Sequence, residues 1–177
     1  VEENKKPDGS DYDIYRDGLK IYTTIDSRMQ LHAETAVTAH MANLQEEFFR
    51  QSKDNKNAPF VNISSVETQR ILNQAMKSSN RWAVMKAMDK SEEEIIKSFS
   101  EKTKMTVFSW KGEKDTLMTP LDSIRYYKHF LQSGLMAMEP QTGNVKAWVG
   151  GINYKYFQYD HVGQGARQVG STFKPFV

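Results

Sequence analysis

The chain has no cysteine, which excludes a disulfide framework, a thiolate metal site and a thiol nucleophile. That absence suits a reducing cytosol and equally a cell-envelope protein that avoids thiols, so it does not set the compartment. Long apolar runs are also missing: none approaches the roughly 20 residues that a membrane-crossing helix needs, and no signal-peptide pattern opens the chain. Any membrane anchor is expected outside these 177 residues. Nor is there an excess of one charge, since 24 Lys and Arg against 22 Asp and Glu leave +2. Without a net field to attract a polyanion, no nucleic-acid partner is expected. Proline is sparse, and all five residues fall at punctuation points: Pro7, Pro59, Pro120, Pro140 and Pro175.

What is present suffices for a folded domain. The length fits one ordinary domain, or two small ones sharing a core. An apolar share of 38% with 11% aromatics supports a globular core, and the negative mean hydropathy points to a polar, partly helical surface.

Residues 1–17 are charged, contain Pro7 and Gly9 and show no apolar periodicity, which reads as a flexible linker. From Leu19 to Ile25 apolar and polar residues alternate, predicting a half-buried strand. Asp26 is placed to cap a helix whose face is Ala33, Val37, Met41, Leu44 and Phe48, running to about Arg50. The polar stretch from Gln51 to Ala58, closed by Pro59, marks a boundary.

A small Met-rich helical module is then expected. Ser64 to Glu67 and Ser91 to Glu94 both have capping-box spacing, ahead of the apolar sets Ile71, Leu72, Ala75, Met76 and Ile95, Ile96, Phe99. Trp82, Met85 and Met88 suggest a further helical piece between them. Met105 to Trp110 reads as a strand ending in a tight turn, and Thr119-Pro120-Leu121-Asp122 as the start of a helix reaching Gly134. Its apolar face is Ile124, Tyr127 and Leu131. Finally, Leu135 to Glu139 and Val145 to Val149 flank Pro140-Gln141-Thr142-Gly143, a β-hairpin. The fold class is α+β.

The candidate chemistry lies at the end of the chain. Ser171 is the one serine followed by a lysine three positions on, Lys174. On spacing alone this is weak, since about one such match is expected by chance in a chain of this composition. A helix-capping serine with a solvated lysine is the plain alternative. The functional reading is coherent, however. On a helix, positions i and i+3 share a face, so the Lys174 amine could take the Ser171 proton. The Ser171 backbone N–H could point at a developing oxyanion, and Gly170 permits a sharp turn or close substrate approach. His32, His40, His129 and His161 are scattered, and a surface role is expected for them, with no metal and no cofactor assigned. Asp160 is read as capping its own loop, and Trp82, Trp110 and Trp148 as core or contact residues.

Three blocks of wording carry more information than that spacing. Gly18-Leu19-Lys20-Ile21-Tyr22-Thr23-Thr24-Ile25-Asp26, followed by Gln30 and Ala33, resembles the linker that leads into the transpeptidase domain of class A bifunctional penicillin-binding proteins. Met138 to Gly151 resembles the first hairpin of that domain, and Arg167-Gln168-Val169-Gly170-Ser171-Thr172-Phe173-Lys174-Pro175-Phe176 its nucleophile segment. Val169 stands where the family usually has Pro.

The resemblance implies a domain plan of 1–17 linker, 18–59 interdomain strand and helix, 60–134 inserted helical module, and 135–177 the N-terminal part of a transpeptidase domain ending in the start of its nucleophile helix. It implies a parent enzyme that cross-links peptidoglycan stem peptides through an acyl-serine on Ser171, with Lys174 as base and the backbone at Ser171 and Gly170 in the oxyanion and substrate site. β-Lactams would acylate the same serine. It further implies an upstream glycosyltransferase domain and anchor, and a location on the periplasmic side of the bacterial inner membrane. Regulatory envelope proteins are expected to dock on the inserted module. Two other readings are a non-catalytic docking or pedestal module and a β-lactamase-like Ser-Lys hydrolase, the latter disfavoured by the linker block.

The family's other motifs, Ser-x-Asn and Lys-Thr/Ser-Gly, are expected beyond Val177, and without them the 177 residues are expected to be inactive alone. Sequencing the gene past Val177 should show both, in that order; an open reading frame that continues without them would contradict the resemblance.

Overall fold

A computed structural model describes residues 4–55 and 57–176. Its elements are α1 (Ser27–Ser52), α2 (Ser65–Lys77), α3 (Asn80–Ala87), α4 (Glu92–Phe99), β1 (Thr103–Val107), β2 (Lys114–Met118), α5 (Pro120–Lys128), β3 (Leu135–Met138), β4 (Val145–Val149) and a 3₁₀ helix over Gly170–Phe176. The α+β class is observed. The strands form two separate antiparallel hairpins, β1-β2 and β3-β4.

Helix starts follow the capping chemistry. The Asp26 carboxylate accepts from the Arg28 and Met29 amides at the head of α1. Ser64, Ser79 and Thr119 each accept one amide of the helix that follows. At α4 the capping box is complete, because Ser91 accepts from Glu94 N–H while the Glu94 carboxylate accepts from Ser91 N–H. The corresponding box at α2 is only half made, since the Glu67 carboxylate is taken by Arg70 one turn on. Satisfying the orphan amides of a first turn stabilises a helix by about 1 kcal/mol per cap.

Two apolar clusters hold these elements. One joins Val37 and Met41 of α1 to Phe108, Phe130, Val149 and Ile152; the other joins Met76, Trp82, Ile95 and Phe99. Helix α5 serves both, with Leu121 and Ile124 against the second cluster and Tyr126 and Tyr127 against the first. In the first cluster Phe108 meets Phe130 edge-on at 5.2 Å and Phe157 at 5.4 Å. Such tilted ring pairs add about 0.5–1.5 kcal/mol each to simple burial.

Several expectations are corrected. Residues Leu19 to Ile25 form no strand; Ile21 is 66% and Tyr22 91% exposed. Alternation makes a strand only where a neighbouring edge offers a ladder. Here the segment reaches β4 through Thr24 Oγ1, which donates to Val145 O at 2.7 Å, and the next residue, Asp26, donates its N–H to Lys146 O at 3.0 Å. Strand β1 starts earlier than expected and stops at Val107, because the Phe108 backbone is claimed by two tyrosines. Tyr126 Oη donates to Phe108 O at 2.6 Å, and Phe108 N–H donates to Tyr127 Oη at 3.2 Å. Strand β2 was not foreseen; Lys114–Met118 pairs back onto β1 across the turn at Gly112.

Helix α5 ends at Lys128, well short of Gly134. The cause lies on α1: Gln45 is fully buried, its amide N–H donates to His129 O at 2.9 Å and its amide oxygen accepts from Leu131 N–H at 2.8 Å. The side chain thus replaces the helical partners of these groups and lets the chain turn Phe130 into the core. Gln45, and not the expected Leu44, continues the stripe from Val37 and Met41; Leu44 is 42% exposed.

Truncating Gln45 leaves a backbone donor and acceptor without partners, each worth about 1–3 kcal/mol when desolvated. Gln45→Ala should therefore lower stability by about 2–4 kcal/mol in urea denaturation, with an unchanged m-value. A loss below about 0.5 kcal/mol would show that the clamp does not hold the turn.

Candidate functional site

The site is built outward from the β3-β4 hairpin. Its strands pair Met136 with Trp148 and Leu135 with Val149, with a register shift between Ala137 and Met138. The turn closes through Glu139 N–H donating to Asn144 O and Gly143 N–H donating to Glu139 O, both at 2.9 Å. Gly143 sits at φ +74°, a conformation that favours glycine.

The side of β4 that faces away from β3 is closed by side chains and loops. Gln30 of α1 is the centre of that closure. Its amide oxygen accepts from Trp148 N–H at 2.8 Å, and its amide N–H donates to Trp148 O at 3.0 Å. The outward backbone groups of β4 at Trp148 are thus taken and do not offer a ladder to a further strand there. Farther along, His161 N–H donates to Gly150 O at 2.7 Å, bringing the returning loop against the end of β4.

Asp160 organises that loop. One carboxylate oxygen accepts from Val162 N–H at 2.9 Å and Gly163 N–H at 3.1 Å; the other accepts from the Trp148 indole at 3.1 Å. The loop-capping role expected for Asp160 is thus observed, with an added tie to β4. Hydrogen bonding from the Gly163 amide first, then from Val162 and Trp148, holds the Asp160 carboxyl below the ordinary aspartate value against the opposing effect of desolvation. Asp26 is lowered likewise, chiefly by the amides of Met29 and Arg28.

Residues 165–169 then run without regular secondary structure to the 3₁₀ helix. Gly170, at φ +52°, makes the sharp turn into it, and nothing lies within 4 Å of where its Cβ would stand. A turn, and not a close contact, is what requires glycine there. Ser171 and Lys174 are both exposed. Residues three apart eclipse one another in a 3₁₀ helix, so the two share a face. A cleft of about 530 Å³ is lined by Gln30, Glu34, Trp148, Tyr154 and Asp160 among others, and not by Ser171 or Lys174.

Of the remaining candidates, Trp82 lies in the second cluster and Trp110 packs against the first, whereas Trp148 is 37% exposed. His32 and His40 are exposed, and His129 Nδ1 lies 2.9 Å from Arg125 O. Among the described residues, no group of three His, Asp or Glu is placed to hold a metal, and no helix is long and apolar enough to cross a membrane. Sequence reasoning missed Gln45 altogether and, although it quoted Gln30 in the linker block, missed the role of that residue; their contacts lie 86 and 118 positions away along the chain.

Comparison with known proteins agrees with this assembly. Residues 55–131 match the model of the penicillin-binding protein middle domain. Together with the relatives, this match supports a fragment of a class A penicillin-binding protein. It is 25% identical to penicillin-binding protein 1A of Neisseria flavescens and 27% identical to that of Rickettsia prowazekii, in each case over 93% of this chain and 23% of the relative. A shorter match reaches 45% identity over 47 residues with penicillin-binding protein 1A of Neisseria lactamica. The chain therefore spans about a quarter of the length of these relatives. No solved structure matches it.

The lowered carboxylates fix the sign of an acid response. Asp26 and Asp160 bind protons more weakly in the fold than in the unfolded chain. Their contribution is thus complete above the ordinary aspartate value of 3.8 and is lost as pH falls through the lower folded values. Thermal unfolding followed from about pH 7 to about pH 2 should show a midpoint flat with respect to these groups down to about pH 5 and falling below it. Asp160→Asn should shrink the fall; an unchanged profile would contradict the loop's dependence on that carboxylate.

Proposed function

We propose that this chain is the stretch of a class A peptidoglycan synthase that joins its linker to its transpeptidase nucleophile, Ser171. The observation that carries the reading is Gly170-Ser171-Thr172-Phe173-Lys174 on one 3₁₀ segment, in a chain aligned with penicillin-binding 1A proteins over 93% of its length. The parent protein works on the periplasmic face of the cell envelope, on peptidoglycan stem peptides.

In this reading the Lys174 amine takes the proton of Ser171 Oγ as that oxygen attacks the penultimate D-Ala carbonyl. The C–O bond forms, the C–N bond to the terminal D-Ala breaks, and Lys174 returns the proton to the departing amine. An amine of a neighbouring strand then attacks the acyl ester, forming the cross-link and restoring the Ser171 hydroxyl. The backbone N–H of Ser171 supports the oxyanion in both steps. Both side chains are exposed in this stretch, so the desolvation that a lysine base needs is supplied by segments carrying the Ser-x-Asn and Lys-Thr/Ser-Gly motifs. The middle-domain stretch has no role in these steps; it is the surface offered to regulatory envelope proteins.

Fluorescent penicillin should label the full-length protein and not the 177-residue stretch alone. Lys174→Ala in the full-length protein should abolish labelling. Normal labelling of that variant would remove Lys174 as the base, and stable labelling of the isolated stretch would refute the need for the further motifs.

A further inference from the structure

The Asp160 turn stands at the junction between the anchored hairpin and the segment that carries Ser171. Trp148 is held twice. Its backbone N–H and C=O are both engaged by Gln30 of α1, and its indole N–H donates to the Asp160 carboxylate at 3.1 Å. The other oxygen of Asp160 collects the amides of Val162 and Gly163, and Asp160 O accepts from Gln164 N–H at 2.9 Å. The packing leaves no slack. A Cβ on Gly150 would stand 2.8 Å from Asp160 Oδ1, and one on Gly163 would stand 3.0 Å from Asp160 Oδ2 and 3.2 Å from the Trp148 ring. Tyr159 Oη closes the turn by donating to Gln164 O at 2.8 Å. Beyond this turn the chain runs through residues 165–169 without regular structure before Gly170.

We infer that Asp160 is a positioning residue for Ser171: tied to β4 through the Trp148 indole, it fixes where and in which direction the nucleophile segment leaves the hairpin. This rests on the reading of Ser171 as the acylated serine. The reacting atoms must be held within a fraction of an ångström, and a misplacement of about 1 Å costs on the order of 100-fold in rate. A carboxylate is required because all the groups facing it are donors. In Asp160→Asn the amide oxygen keeps the two backbone N–H groups while its NH₂ confronts the Trp148 indole N–H, so two donors face each other. Trp148→Phe removes one of those donors and relieves the conflict.

The test measures the rate of acylation by fluorescent penicillin, and separately the fraction of protein that can be labelled, in the full-length wild type, Asp160→Asn, Trp148→Phe and the double variant. Asp160→Asn should be acylated about 10- to 100-fold more slowly at an unchanged labelled fraction. Trp148→Phe should be slowed less, and adding it to Asp160→Asn should recover part of the loss, a non-additivity that independent sites do not show. A wild-type rate in Asp160→Asn, a labelled fraction that falls at an unchanged rate, or a double variant slowed by the product of the single effects would each overturn the positioning role. An unlabelled wild type would instead remove the transpeptidase reading itself.

Discussion

The fold depends on helix α1 supplying, from its side chains, hydrogen bonds that secondary structure would otherwise have to make. Gln30 and Gln45 each present an amide whose oxygen accepts and whose NH₂ donates to the backbone of a distant segment. At Gln45 the amide stops α5 and turns Phe130 inward; at Gln30 it closes the outer side of β4. The Gln45 amide is fully buried and would cost several kcal/mol without partners, so that glutamine is stabilising only in the arrangement that satisfies both of its ends. The two amides couple the helix to the segment before β3 and to β4 at the same time, and both segments meet Val37 and Met41 in one core. The middle-domain stretch shares that core through Phe108 and Phe130.

This explains which features were legible in the sequence. Helix starts at Asp26, Ser64, Ser91 and Thr119 depend on a side chain reaching an amide two or three residues away, so local wording determines them. The β3-β4 hairpin was legible for the same reason, with turn residues standing between two short apolar runs. The strand expected from Leu19 to Ile25 failed because alternation states what a strand would bury, not whether an edge is open to receive it, and on β4 the Trp148 backbone is taken by Gln30. The ends of β1 and α5 were misjudged because groups far along the chain set them: the hydroxyls of Tyr126 and Tyr127 for β1, and the Gln45 amide for α5. One signal for Gln45 was present. The steps of four from Ala33 through Val37 and Met41 lead to residue 45, and a polar residue in an apolar stripe marks a buried hydrogen-bonding site.

The site shows the same division. Ser171, Lys174 and Gly170 were legible as a motif, and the φ of Gly170 gives a physical reason for its glycine. The support for that motif was not legible, because Trp148 and Asp160 meet only once His161 has carried the loop back to Gly150. Ser171 and Lys174 stand exposed on one short 3₁₀ helix, without an enclosure among the described residues. In the proposed chemistry the rest of the domain supplies it, while the stretch described here delivers the nucleophile to a set position.

Acylation of Ser171 is the step on which the functional account turns. The direct measurement is peptide mapping by mass spectrometry of the full-length protein after exposure to benzylpenicillin. The proposed chemistry requires the adduct on the peptide that contains Ser171, and its disappearance in Ser171→Ala. An adduct on a different serine, or one that persists in Ser171→Ala, would contradict it.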